Sequence, residues 1–274
     1  MGLNWTMVTV AARSIRGWRL FRLFPGPAAE AGLLAALAGS QGMTGSLESL
    51  HGAVGYAAAT SASSGNWGAA LDGLGDWTPI TRMTVKNHGC CGHIFPALDG
   101  LTVLIRDLAL TPESISAIHV DGYGATKSMC DRPDPQSPSE ARFSLQYCVA
   151  ALFVLGAVRL EAFRPACLGR SDIRALMDRV SVSEDAELAA AYPQRRMARL
   201  LLRLSDGREV GLFQATRKGD PEDPLSDAEL IEKFEELVSE VLLPEGVDGL
   251  KAQCLQGDDL PGAVPLQAWR PGKG

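Results

Sequence analysis

The sequence predicts an α+β fold, and three observations predict it. Helix signals mark both ends of the chain: Pro27, an Ala/Leu interior and Gly39 over 27–39, and a Ser226 start with a Pro244 stop over 227–243. Between them, β-branched alternation and a strong hairpin turn mark strands mixed with helices rather than a regular strand–helix alternation. With 46% hydrophobic and 21% charged residues over 274 positions, the chain can bury a sizeable core, which excludes disorder over most of its length. The formal net charge of -6 argues against nucleic acid or an anionic membrane as a partner. No apolar run reaches the roughly 18–20 residues that a spanning helix needs. The longest, 147–160, is broken by Gly156 and Arg159. Six cysteines, none in a C-x-x-C pair and none behind a convincing secretory signal, read as reduced thiols in a cytoplasmic protein.

The first 24 residues hold Arg13, Arg16, Arg19 and Arg22 and no acid. That composition suits a mitochondrial-type presequence. It equally suits a truncated or misread gene start, which is preferred because the stretch runs into a helix without a linker. A helix follows over 27–39, with Pro27 in its first turn, Ala and Leu inside and Gly39 at its end. A second is expected over 45–59, with Ser46 and Glu48 in the opening turn. The Ser- and Gly-rich stretch 61–76 reads as a loop, and the alternating residues of 77–85 as a strand or extended lead-in. Over 96–108 the apolar positions Ala97, Leu98, Leu101, Leu104, Ile105 and Leu108 predict a helix. A turn at Thr111-Pro112-Glu113 then leads to a strand over 115–122.

The prolines of 130–139 forbid regular structure. Ser139 would cap a long apolar helix over 140–156, and Ser171 a short one over 171–180. Asp206-Gly207 is the strongest turn signal in the chain and predicts a hairpin of 198–204 with 209–215. Ser226 would begin the last helix, 227–243, and Pro244 would stop it. The Gly/Pro-rich tail after Gly246 reads as loosely held.

The densest group of reactive side chains runs from Lys86 to Asp99 and includes His88, Cys90, Cys91 and His93. It falls between a strand end and a helix start, with glycines that let the backbone bend around a ligand. Three readings stand. A zinc site would use those two histidines and two cysteines, but adjacent cysteines make a poor tetrahedral set. A nucleophilic cysteine would need a base, which a neighbouring histidine can supply. A plain loop would bury its thiols and solvate its histidines. A second group opens the long helix: Arg142 would hold a carboxylate, and Tyr147 would hydrogen-bond or protonate a substrate oxygen. On periodicity alone Tyr147 reads as a core aromatic with a satisfied hydroxyl. Glu235, Glu236 and Glu240 read as a solvated helix face, and His51 and His119 stand alone. Phosphate loop, nucleophile elbow and H-E-x-x-H helix are all missing.

Several blocks, in order, resemble the MmgE/PrpD family. Gly26 to Ala38 with Gly42-Met43-Thr44-Gly45 is similar to its G-x-A-A-x-x-G…G-x-T-G helix. Lys86, Cys91 and Asp99 resemble K-x-x-P-x-C…H-x-x-x-D-A. Pro138 to Tyr147, with Ala150, Ala151 and Gly156, is similar to P-x-x-x-E-A-[KR]-[FH]-S-x-x-Y. Asp206-Gly207-Arg208 and Gly219…Pro224-Leu225-Ser226…Lys233-Phe234 resemble the closing D-G-R…G-x-x-x-x-P-[LM]-[ST]…K-F signature.

The resemblance implies a partial all-helical domain, formed by 26–80 and 222–262, and an α+β lid domain with an antiparallel sheet over 81–221, after an atypical segment 1–25. Family members carry a long helical region before this point, with an Asp/Thr/His segment, which this chain lacks. The implied function is a lyase of the 2-methylcitrate dehydratase type. It removes a proton next to a carboxylate of a small polycarboxylate, with loss of water and without metal or organic cofactor. A catalytically inactive dimerising or ligand-binding module, and a family epimerase or isomerase, are the alternatives. Homodimerisation is implied as well. Lys86, Cys91, His93 and Tyr147 would be catalytic, and Lys86, His88 and Arg142 would bind substrate. Gly89 stands where the family has Pro and Phe95 where it has His, with His93 close by. Phe21 and Phe24 replace a Lys/His pair.

Overall fold

The computed structural model describes residues 25–60, 66–73, 75–76 and 82–255. The chain divides into two compact units, Met1–Thr81 and Arg82–Gly274. The fold is α+β, as the residue pattern predicts.

In the first unit, helix α1 spans Pro25–Ser40. Ser40 Oγ closes it by donating to the Leu37 carbonyl (2.7 Å). The continuous helix expected over 45–59 does not form. Turns occupy most of that stretch and only α2, Tyr56–Thr60, is helical. Gly45, Gly52 and Gly55 explain this, because glycine pays the largest backbone entropy in a helix. The expected loop holds one further short helix, α3 (Trp67–Leu71), capped by Asn66, whose side chain accepts the Ala69 N–H (3.1 Å). Of the strand expected over 77–85, residues 77–81 lie outside the described residues. Residues 83–86 are extended without a strand partner, and the Val85 N–H donates to the Gly219 carbonyl (2.8 Å).

The second unit is built on a four-stranded sheet of order β2-β1-β3-β4. Helix α4 (Phe95–Leu108) begins with Pro96 in its first turn and ends at Ala109 in left-handed conformation. A 3-10 turn, Pro112–Ser114, feeds β1 (Ile115–Gly122). Then come α5 (Gly124–Cys130), α6 (Pro138–Ala141), α7 (Leu145–Leu155), α8 (Pro165–Leu168) and α9 (Ser171–Met177). Strand β2 (Val180–Glu184) pairs parallel to β1, and α10 (Ala186–Ala191) follows; the residue pattern missed both. The hairpin β3 (Ala198–Leu204) and β4 (Glu209–Gln214) forms as predicted, with β3 antiparallel to β1.

Alternation along β1 and β3 buries Ile115, Ile118, Val120, Leu200, Leu202 and Leu204 on one face. Helix α4 packs there against β3 and β4, and α7 against β2, α4 and α9. Gly100 permits the close approach, because a Cβ there would lie 2.7 Å from the Leu200 and Leu212 side chains. The opposite face mixes polar side chains with the exposed Leu201 and Phe213, and on it His119 bonds Ser181 (2.8 Å) and Asp121 (3.0 Å).

Three helix boundaries differ from expectation. Ser137, not Ser139, caps the short α6, accepting the Glu140 N–H (3.2 Å), and the chain breaks before Ser144 caps α7. Ser144 Oγ is held there because it also donates to the Arg132 carbonyl (2.6 Å). Arg170 precedes α9 in extended conformation, so Ser171 lies inside the first turn rather than capping it. Helix α11 (Asp227–Val238) starts at a Ser226/Glu229 capping box, as the serine suggests, but Pro244 opens α12 (Pro244–Leu255) instead of ending a helix. The acids Glu235, Glu236 and Glu240, in α11 and just after it, are not a free solvated face. Glu236 accepts the Leu160 N–H (3.0 Å), Glu240 pairs with Arg164 (2.8 Å) and Glu235 with Lys251 (2.7 Å). Among the described residues no helix is long and apolar enough to cross a membrane.

Candidate functional site

The reactive segment 86–94 joins the extended stretch at Val85 to α4, and backbone bonds hold it on both sides. The Gly89 N–H donates to the Val158 carbonyl (2.7 Å), and the Cys91 N–H to the Arg142 carbonyl (2.8 Å). Arg142 returns a guanidinium hydrogen bond to the Gly89 carbonyl while lying 4.2 Å over the Phe163 ring. Arg217, 7% exposed, ties Gly92 to Thr84 and Asp220: it donates to the Gly92 carbonyl (3.2 Å), Thr84 Oγ1 (2.9 Å) and Asp220 Oδ2 (2.8 Å). His88 is buried with Nε2 2.9 Å from Asp99 Oδ1, and the other Asp99 oxygen accepts the Lys218 N–H (2.9 Å). Arg142 and His88, expected to bind substrate, are thus spent largely on the loop itself.

Lys86, Cys91 and His93 are brought together. Lys86 is exposed, with Nζ 3.5 Å from the Cys90 carbonyl, and its charge acts on both Cys91 and His93. The Cys91 thiol is lowered to about 7. Its hydrogen bond with Cys130 contributes most, then the His93 backbone N–H and the charges of Lys86 and Arg132, against the upward push of burial. Cys130 is pushed up by the same bond and by burial. Cys148 is pushed well up by burial and by Cys90. Cys90, Cys91, Cys130 and Cys148 therefore meet under the loop, with the Cys91 thiol lowered while Cys130 and Cys148 are pushed up. Among the described residues no three His, Cys, Asp or Glu side chains are grouped as a metal-ligand set.

His93 Nδ1 lies 2.9 Å from the Tyr123 hydroxyl. Tyr123 is buried at the end of β1, stacked on Tyr192 with ring centroids 4.6 Å apart. Thr126 interacts with that hydroxyl and donates to the His93 carbonyl (3.3 Å). The tautomer sets which way this bond runs: with the proton on Nδ1 it donates to the tyrosine oxygen and Nε2 carries the free lone pair, and with the proton on Nε2 the tyrosine hydroxyl donates to Nδ1. Burial lowers the His93 pKa below its ordinary value, and Arg196, Arg217 and Lys86 lower it further. The result is a neutral imidazole among cations. Burial also raises the Tyr123 hydroxyl, so it stays protonated.

Tyr147 does not join this group. It is fully buried, its hydroxyl donates to the Ala162 carbonyl, and burial raises it to about 12. The core reading of its periodicity fits the structure. The tyrosine beside His93 is Tyr123, which the residue pattern did not single out. The glycines flanking it at a strand end, Gly122 and Gly124, were the available signal. Arg196 and Arg217 were missed for want of any local motif.

On the other side of the loop a cavity of 210 Å³ is lined by Lys86, His88, Arg159, Lys233 and Glu236, with Leu160 and Leu237. Burial and the charges of Arg159 and Lys86 lower the Lys233 pKa.

A family model described as the MmgE/PrpD C-terminal domain matches residues 88–256. A cis-aconitate decarboxylase of Mus musculus is 27% identical over 130 residues, which is 47% of this chain and 26% of that protein. The cis-aconitate decarboxylase of Homo sapiens is 28% identical over 120 residues, 44% of this chain and 25% of its own length. The matched stretch thus spans about a quarter of the length of these curated relatives.

Proposed function

The chain belongs to the MmgE/PrpD family, and we propose that it acts as a lyase on a small polycarboxylate, by a hydro-lyase reaction like that of 2-methylcitrate dehydratase. The observation that carries this reading is the neutral His93 imidazole, held by Tyr123 and surrounded by Lys86, Arg196 and Arg217. Removing a proton from a carbon next to a carboxylate needs a base that is unprotonated where cations hold the anion. It also needs positive charge where the enolate-like charge develops.

In this reading Lys86 binds a substrate carboxylate and His93 Nε2 accepts the proton. Arg196, which lies over the Tyr192 ring and has no ion-pair partner among the described residues, stabilises the charge on the reacting side. Cys91 returns a proton to the departing hydroxyl, a role suited to a thiol that ionises at about 7. Tyr123 holds the imidazole in place, accepting its Nδ1–H in this reading. Tyr147 is left out of the chemistry because its hydroxyl is committed to Ala162. The tricarboxylate named for the curated relatives, cis-aconitate, is consistent with the substrate class, and decarboxylation would begin from the same cationic site.

Purified protein incubated with 2-methylcitrate and a panel of tricarboxylates should develop absorbance from a new conjugated double bond. Silence across the panel would reject the enzyme and leave a ligand-binding or dimerising module.

A further inference from the structure

Lys233 stands out in the second unit. It lies on α11, lines the cavity beside the 86–90 segment, is half-buried, and has no hydrogen bond or ion pair among the described residues. Arg159 sits beside it, paired with Glu232 (2.9 Å) and held 3.6 Å from Glu236. Glu236 has one oxygen on the Leu160 N–H (3.0 Å), and Asn87 Oδ1 lies 3.4 Å from Arg159. Burial and the charges of Arg159 and Lys86 lower the Lys233 pKa, against the opposing pull of Glu236, the one acid lining the cleft. Three cations, Lys86, Arg159 and Lys233, thus line one cleft against a single lining acid, an excess of positive charge that an anionic ligand would balance.

We propose that the 210 Å³ cleft between the 86–90 segment and α11 is a carboxylate subsite in which Lys233 and Arg159 hold the substrate carboxylate remote from the reacting carbon. Lys86 lines this cleft and also acts on His93, so one ammonium links the subsite to the base. The floor of Leu160 and Leu237 offers apolar contact to the carbon skeleton between two carboxylates. The proposal rests on the polycarboxylate reading above and adds the residues that would recognise the second acid group.

Calorimetric titration of the full chain with tricarballylate, a tricarboxylate without the hydroxyl to be lost, tests the subsite apart from turnover. Binding should weaken by about tenfold or more in Lys233→Gln, a loss of about 1.4 kcal/mol, and persist in Lys233→Arg and in His93→Gln. Lys233→Gln should melt no lower than the parent without ligand, because no partner is lost. With a turned-over substrate, KM should rise while kcat is kept. Equal affinity in the parent and Lys233→Gln, or no binding to the parent, overturns the subsite. Inorganic phosphate competing as strongly as tricarballylate overturns it too, by showing an anion site without carboxylate selectivity. Binding that depends on Lys233 with no turnover of any tricarboxylate would uphold the subsite and reject the lyase.

Discussion

At the residue scale the account turns on His93. Its proton is bound more weakly in the folded chain than in the unfolded one, where histidine titrates near 6.5. The unfolded state therefore takes up more protons as pH falls through 6.5 toward the depressed folded value, and stability declines across that window. A thermal-melt series from pH 7.5 to 5 should show this decline in the parent and a shallower one in His93→Gln. Cys91 provides an independent check. Iodoacetamide labelling followed by peptide mapping should show Cys91 reacting with a midpoint of about 7, while Cys148 resists at the same pH. Equal rates at both positions would contradict the environment described. The sequence made the Lys86, Cys91 and His93 grouping legible because all three lie within one short segment. It could not reveal Tyr123 or Arg196, which reach His93 from the end of β1 and from the approach to β3. Tyr147 misled for the opposite reason: the family motif drew attention to a phenol that packing buries.

At the element scale, local chemistry was readable wherever it was self-contained. The Asp206-Gly207 hairpin, the Pro96 start of α4 and the Ser226 cap of α11 each depend on neighbours within a few residues. Strand β2 was not readable. Its five residues find their partner in β1 about sixty positions earlier, and nothing in the short segment announces that pairing. The break between α6 and α7 likewise depends on a distant group, the Arg132 carbonyl that captures Ser144. Two substitutions test these elements. Ser226→Ala removes the α11 cap and should cost about 1 kcal/mol in denaturant unfolding. Gly219→Ala should cost more. Gly219 has φ +97°, and an added Cβ would stand 2.0 Å from the Val85 carbonyl oxygen, displacing the lead into Lys86. An unchanged midpoint for Gly219→Ala would show that the Val85–Gly219 contact does not hold the loop.

At the scale of the whole molecule, the second unit owns a continuous core, whereas the first exposes apolar side chains. Leu33, Leu34, Leu37, Leu47 and Val54 are each more than half exposed. Such surface favours association, so the chain should elute as a concentration-dependent oligomer. A sharp monomer peak at high concentration would contradict this. The reactive loop, the Tyr123 support and the Lys233 cleft all belong to the second unit, so the proposed chemistry lies there: its cations would hold a polycarboxylate while His93 removes a proton beside a carboxylate. Deuterium uptake by 2-methylcitrate in D2O, followed by NMR, reads that step even where water loss is slow. The account predicts exchange at the carbon next to the carboxylate in the parent and at least a hundredfold less in His93→Gln, on the order of what a general base contributes. No exchange in the parent, or equal exchange in the two proteins, would contradict it.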